Sequence, residues 1–179
     1  MYYCANYSSP IGKILLASDG ENLIGLWNEN QKYHGGTVKE PMIEKSDLKV
    51  FINTKKWLDT YFANRKPLIS ELPLAPIGGE FRKVVWKILC EIPYGETTTY
   101  GEIAKKVASG LGKEKMSSQA VGGAVGHNPI SIIIPCHRVV GKNGSLTGYA
   151  GGIDKKVKLL EHEGANMSSL FIPTKGTAL

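Results

Sequence analysis

The sequence predicts an α/β fold of the α+β kind, with a β-sheet part first and a mainly helical part second. Three observations predict it. Apolar runs broken by turn residues fill positions 1–30, prolines and glycines cluster over 64–80, and helical spacings of apolar residues dominate beyond 80. A chain of 179 residues suits one ordinary domain or two small ones. The cluster of prolines and glycines places the boundary, giving parts 1–77 and 78–179. With 42% hydrophobic and 21% charged residues, the chain can fill a core and is not expected to be disordered.

Tyr2-Tyr3 and Ile14-Leu15-Leu16 are apolar runs on either side of the turn sequence Ser9-Pro10-Ile11-Gly12. Asp19-Gly20-Glu21-Asn22 turns the chain into a further run, Leu23-Ile24-Gly25-Leu26-Trp27, so this region is a hairpin or meander. Residues 46–63 read as a helix, with Ser46 placed to cap it and Leu48, Phe51, Ile52, Leu58, Tyr61 and Phe62 in an approximate stripe. Pro67, Pro73, Pro76, Gly78 and Gly79 then mark a linker.

Beyond it, Phe81, Val84, Val85, Ile88 and Leu89 follow the spacing of an amphipathic helix, which Pro93-Tyr94-Gly95 ends. Thr99 and Glu102 have the form of a capping box and open a short helix with Ile103, Ala104 and Val107 inward. Ser109-Gly110-Leu111-Gly112 breaks it, and Ser117 or Ser118 starts another helix ending near Gly126. Two short helices around a Gly-bearing break are consistent with a helix-turn-helix. The second of them holds Gly122, Gly123 and Gly126, although each glycine costs a helix interior about 1 kcal/mol against alanine. Tight packing on a neighbouring element would explain them, and so would close docking on an outside partner. Ile132-Ile133-Ile134 signals a buried strand. Val139-Val140 and Leu146-Thr147 flank Gly141-Lys142-Asn143-Gly144, whose Asn-Gly predicts a hairpin, the wing of a winged helix. Ile153, Val157 and Leu160 give a last helix stopped by Gly164, and 165–179 reads as a loosely held tail.

The net charge is +6, and its distribution is uneven. Residues 1–80 carry nine basic and nine acidic side chains, whereas 81–179 carry thirteen and seven. A polyanion meeting the second part would use that excess, and a solvated basic surface would also account for it. There is no apolar run of 18 residues and no basic-then-apolar start, so neither a membrane helix nor a signal peptide is expected, and the cytoplasm is the default compartment. Cys4, Cys90 and Cys136 are odd in number and widely spaced, which argues against a disulfide framework. With His34, His127, His137 and His162 they form no familiar zinc spacing, so no metal or other cofactor is expected.

A lone cysteine is usually a small buried hydrophobe, and Cys4 and Cys90 read that way. Cys136 differs because His137 and Arg138 follow it directly, and a neighbouring base or cation favours the nucleophilic thiolate. On an extended chain the two side chains would point to opposite sides, leaving a water to connect them. A histidine satisfied within the core is the other reading of His137.

Ile134-Pro135-Cys136-His137-Arg138-Val139-Val140 resembles the signature of the O6-alkylguanine-DNA alkyltransferases, also called methylated-DNA–protein-cysteine methyltransferases. The likeness runs on, in order, through Phe81 to Lys87, Pro93 to Tyr100, Ala120 to Pro129, Gly148 to Gly152 and His162-Glu163-Gly164. It implies an N-terminal RNase H-like β-sheet domain and a C-terminal winged helix-turn-helix alkyltransferase domain. It further implies double-stranded DNA containing O6-alkylguanine as the partner, bound through the minor groove by a monomer, with O6-methylguanine and possible O4-methylthymine flipped out of the duplex. By that resemblance Cys136 accepts the methyl group irreversibly, His137 deprotonates it through a water, Glu163 orients His137, and Tyr100 protonates guanine N3. Gln119, Ala120, Gly122, Gly123, Asn128, Arg138, Val139, Tyr149 and Ala150 would bind the DNA or the flipped base. Asn128 would brace the helix-turn-helix, while the carbonyls of Cys136 and Val139 and the amide of Ala150 would read the base. Gln119 stands where some members have an intercalating arginine, and Ala150 where some have serine. The inactive relatives carry tryptophan in place of the cysteine, unlike this chain.

Two other functions compete. A non-enzymatic winged-helix protein that binds DNA lesions would share the basic second part but have no need of Cys136, His137 and Glu163 together. A hydrolytic cysteine enzyme would turn over repeatedly and have no use for the basic charge.

Overall fold

The computed structural model describes residues 1–36 and 38–174. Strands β1 (Tyr2–Ser9), β2 (Gly12–Ser18) and β3 (Leu23–Asn28) form the expected antiparallel meander, and β4 (Met42–Glu44) joins β1 in parallel. The sheet order is β3-β2-β1-β4. Helix α1 (Lys49–Phe62) buries Phe51, Leu58 and Tyr61 in the same apolar core as Ile14, Leu16 and Leu26 of the sheet. It is not capped by Ser46. Ser46 and Asp47 make the turn that leaves β4, and Leu48 holds the N-cap position with no side-chain bond.

The stretch expected as a linker is tied down. The Leu23 amide donates to the Pro73 carbonyl (2.8 Å), and the Ala75 amide donates back to Leu23 (2.9 Å). Further along β3, the Leu26 amide donates to Pro129 (2.8 Å) and the Ser131 amide to Leu26 (3.0 Å). The outer edge of β3 is thereby covered, which removes the unpaired row of polar groups that an edge strand would expose. It also fastens the segment just before Cys136 to the sheet.

In the second part, α2 (Glu80–Leu89), α3 (Tyr100–Gly110) and α4 (Ser118–Gly126) pack together, and the Trp86 indole donates to the Ala124 carbonyl (2.8 Å). The Thr99 hydroxyl caps α3 by accepting from the Glu102 amide, but the Glu102 carboxylate pairs with Lys105, so only half of the capping box forms. Ser117 caps α4. Helix α5 (Ile153–His162) closes against the residues after Cys136.

Three expectations need correction. Ile132, Ile133 and Ile134 are buried but form turns rather than a strand, and Ile132 takes a left-handed backbone (φ 70°). That conformation is rare for a β-branched side chain and persists only where the surroundings over-determine it. The wing is a braced loop, not a two-stranded ladder. The residues expected as its first strand form β6 (Val139–Val140), which pairs in parallel with β5 (Thr98–Thr99), while the Leu146 amide is taken by the Phe171 carbonyl (2.8 Å). Asn143 (φ 64°) and Gly144 (φ 89°) do supply the left-handed turn that their sequence predicts. The start of the tail is therefore held, with Ala165, Met167 and Leu170 packed against Val140, Leu146 and Leu160. Residues 175–179 lie outside the described residues.

Candidate active site

Cys136, His137 and Arg138 form one turn of 3-10 helix entered from Pro135, not an extended segment. Successive side chains on such a turn fan out about a third of a revolution apart, so none is forced to the opposite side. All three are buried. Asn128, just past the end of α4, sets this turn. Its side-chain amide donates to the Ile134 carbonyl (2.8 Å) and its oxygen accepts from the Ile130 amide (3.0 Å).

Glu163 lies at the centre of the network. Its carboxylate accepts from the Tyr61 hydroxyl (2.7 Å), His137 Nε2 (2.7 Å), Arg138 Nη2 (2.9 Å), Arg138 Nε (2.8 Å) and the Gly95 amide (3.2 Å). Gly95 reaches it with a left-handed backbone (φ 79°), where a Cβ would lie 2.8 Å from the Glu163 carbonyl oxygen. Burial alone would push the Glu163 carboxyl up, but the bonds from His137 and Arg138 hold it well below the usual range. An ionised carboxylate only accepts, so the neutral imidazole carries its proton on Nε2. Its Nδ1 lone pair is left buried and without a hydrogen-bond partner among the described residues. Burial, opposed by Glu163, lowers the His137 pKa and keeps the ring neutral.

Burial raises the Cys136 thiol above its ordinary value, while the Asn128 amide and the Lys156 ammonium pull it down. Lys156 escaped the reading of the sequence because a lysine usually lies on a solvated face. It is fully buried on α5, donating to the carbonyls of Val139 (2.5 Å) and Thr147 (2.9 Å), and burial lowers it to about 8. Its position three residues after Ile153 and four before Leu160, on the apolar stripe, was the available signal. Tyr61, a ligand of Glu163 from the other half of the chain, was read only as core.

Tyr100 donates to the Thr147 carbonyl (3.1 Å), and burial, reinforced by Cys136, raises its hydroxyl to about 12. It borders a cavity of about 580 Å³ with Ser118, Gln119, Gly122, Lys142 and Gly148. Gln119, Ala120 and Gly123 are exposed along α4, and a Cβ at Gly123 or Gly126 would meet nothing within 4 Å. Internal packing therefore does not require those two glycines. Tyr149 is 7% exposed beside Ala150, whereas Val139 is wholly buried and its carbonyl is bonded to Lys156. The expectation that Arg138 contacts DNA is corrected. Its guanidinium turns inward, forked on Glu163 and bonded to the Ile92 carbonyl (2.7 Å), and the residue is 6% exposed. Among the described residues no cluster of three or more His, Cys, Asp or Glu could hold a metal, and no helix is long and apolar enough to cross a membrane.

Two family models divide the chain much as its architecture does. Residues 2–76 match the 6-O-methylguanine DNA methyltransferase ribonuclease-like domain, and residues 80–165 match the DNA-binding domain of the same family. The chain belongs to this family. A methylated-DNA–protein-cysteine methyltransferase of Methanosarcina acetivorans is 47% identical over 92% of this chain and 99% of its own length. The Haemophilus influenzae protein of the same name is 41% identical over 90% of this chain and 86% of its own. The crystal structure of Mycobacterium tuberculosis OGT in complex with DNA superposes with a TM-score of 0.76 at 41% identity, covering 90% of this chain and 91% of that one.

Proposed function

We propose that the protein repairs alkylated DNA by transferring the methyl group of O6-methylguanine to its own Cys136, once per molecule. The observation that carries this reading is the buried sequence Cys136, His137, Glu163, in which the carboxylate fixes the imidazole with its Nδ1 lone pair free. That is the arrangement of base and orienting group that activates a nucleophile.

His137 Nδ1 takes the thiol proton through a water. The Cys136 sulfur attacks the methyl carbon, the sulfur–carbon bond forms and the carbon–O6 bond breaks. The Tyr100 hydroxyl gives its proton to guanine N3, so the base leaves neutral. With its pKa raised to about 12, Tyr100 holds that proton until it is needed. The thioether is stable and no group in the site regenerates the thiol, which limits the protein to one event. Lys156 places a positive charge near the sulfur throughout.

The DNA duplex docks on α4 through its minor groove, about 6 Å wide, which admits a helix face built from Ala120, Gly123 and Gly126. Gln119 fills the place of the flipped base, which enters between Tyr100 and the loop of Tyr149 and Ala150, over Gly122 and Gly148 of the two adjoining cavities. The Val139 carbonyl, although bonded to Lys156, keeps a second lone pair for the base. The protein acts as a monomer in the cytoplasm, where thiols stay reduced.

The test is the intact mass of the protein after mixing with duplex DNA carrying one O6-methylguanine. The expected result is a gain of one methyl group on Cys136, absent in Cys136→Ala. Lesion binding without any gain would leave a non-enzymatic binder instead.

A further inference from the structure

Strand β3 ends in a tight turn from Asn28 to Gln31. The Gln31 amide donates to the Asn28 carbonyl (3.2 Å), and Asn30 takes a left-handed backbone (φ 62°). Three ties join this turn to the loop of Tyr149 and Ala150 and to the start of α5. The Lys32 amide donates to the Ala150 carbonyl (2.9 Å), and the Lys155 ammonium donates to the Glu29 carbonyl (3.2 Å). The third tie is the Asn28 side chain, which lies against Gly151. A Cβ on Gly151 would come within 2.7 Å of the Tyr149 ring and 3.1 Å of the Asn28 side-chain nitrogen, so only glycine fits between the two.

Asn28 is fully buried there, and its own neighbours hold it. Gln31 Oε1 accepts from the Asn28 main-chain amide (2.7 Å) and, at longer range, from the Asn28 side-chain amide and the Ser131 hydroxyl (3.4 Å each). Burial keeps the Tyr149 hydroxyl well above its ordinary pKa, and Asn28 and Ser131, as hydrogen-bonding neighbours, pull it back. Neither completes a close bond, since Tyr149 Oη and Asn28 Oδ1 are buried without a partner among the described residues. Four polar side chains thus gather in a buried niche where apolar ones would cost less to bury, and what such a niche supplies is orientation. We infer that Asn28, backed by Gln31 and Ser131, is a positioning residue for base recognition, seating the Tyr149 phenol and thereby fixing the backbone of Ala150 against the flipped guanine. The inference rests on the path proposed above for the flipped base. The first part of the chain then shapes the base site from behind, without touching the reacting atoms.

The experiment follows single-turnover methylation of Cys136 by intact mass over a range of concentrations of duplex DNA carrying one O6-methylguanine. It compares the wild type with Asn28→Leu, Tyr149→Phe and the double variant. Asn28→Leu is expected to raise the half-saturating DNA concentration about fivefold, the worth of one modest buried hydrogen-bonding contact, with the saturating rate nearly unchanged. Binding of undamaged duplex should also stay as it was. The double variant should be no worse than the poorer single one, because Asn28 acts through the Tyr149 hydroxyl. Ser131→Ala with Tyr149→Phe makes the same cycle from two smaller changes, should Asn28→Leu not fold. A merely structural role would lower the fraction of protein that labels and leave the half-saturating concentration alone, and that result overturns the inference. So would effects that add in both cycles. Failure of the wild type to label at all would instead overturn the alkyl-transfer reading itself.

Discussion

At the scale of single residues the site depends on one carboxylate doing two tasks, holding the proton of His137 on Nε2 and compensating the buried Arg138. Glu163→Gln separates these tasks poorly, because an amide offers one acceptor where five donors converge and can force the wrong tautomer on the imidazole. Methyl transfer in a single-turnover assay is expected to fall by about 10³–10⁴, as for a triad whose carboxylate becomes an amide. Urea denaturation of the same variant should show a loss of about 3–5 kcal/mol from the unpaired buried guanidinium. His137 gives a separate pH signature. The unfolded chain protonates this residue near 6.5, whereas the buried ring resists. Below about pH 6.5 the unfolded state therefore binds more protons, and stability falls as the pH drops, by up to about 1.4 kcal/mol per pH unit. Denaturation at pH 7.5 and 5.5 should show this slope, and His137→Gln should lack it. Cys136 and His137 were legible in the sequence because they are adjacent. Glu163, Lys156 and Tyr61 arrive from distant segments, and no local spacing joins them. Only resemblance pointed to Glu163, and the one signal for Lys156, its place on a buried stripe, was masked by its charge.

Elements were legible where the pattern was local and misread where partners were remote. The meander at the start, α2 and the two helices of the helix-turn-helix follow from turn residues and apolar spacing. The three isoleucines before Cys136 looked like a strand because burial and β-branching are shared by strands and buried turns alike. What decides between them is the bonding of Pro129 and Ser131 to Leu26, a contact across about a hundred positions that no window can see. The wing failed for a similar reason, since β5 and Phe171 take the partners that a local hairpin would have used. The glycines of α4 were ambiguous in sequence, and the open space around Gly123 and Gly126 shows that internal packing does not call for those two. Gly123→Ala is expected to stabilise the fold by about 0.5–1 kcal/mol, since helix propensity improves and nothing clashes. The same change should weaken binding to duplex DNA, because the added methyl lies on the face proposed to dock there. Thermal unfolding and a fluorescence titration with duplex DNA measure the two effects. Weaker folding would show that the glycine serves internal packing after all.

At the scale of the whole molecule, the two parts matched by separate family models do not behave as beads on a string. Phe51, Trp57 and Leu58 of the first part share one apolar core with Val85, Ile133 and Cys136 of the second. The same seam carries the polar link from Tyr61 to Glu163, beside which the Tyr61 carbonyl meets His162 Nε2 (2.8 Å). Two consequences can be measured together. Trp27 and Trp57 report on the first part and Trp86 on the second, so single-tryptophan versions should give coincident urea transitions if the seam couples the parts. Tyr61→Phe keeps the ring and removes only the hydroxyl, a donor to a buried carboxylate. It should cost about 1.5–3 kcal/mol and shift all three transitions equally. Methyl transfer should slow less than in Glu163→Gln, because His137 and Arg138 still hold the carboxylate. Separate transitions, with Tyr61→Phe moving only that of the first part, would mean that the sheet domain supports itself and lends nothing to the chemistry. Equal shifts together with slower transfer would mean that a hydroxyl on α1 helps to fix the imidazole proposed to activate Cys136.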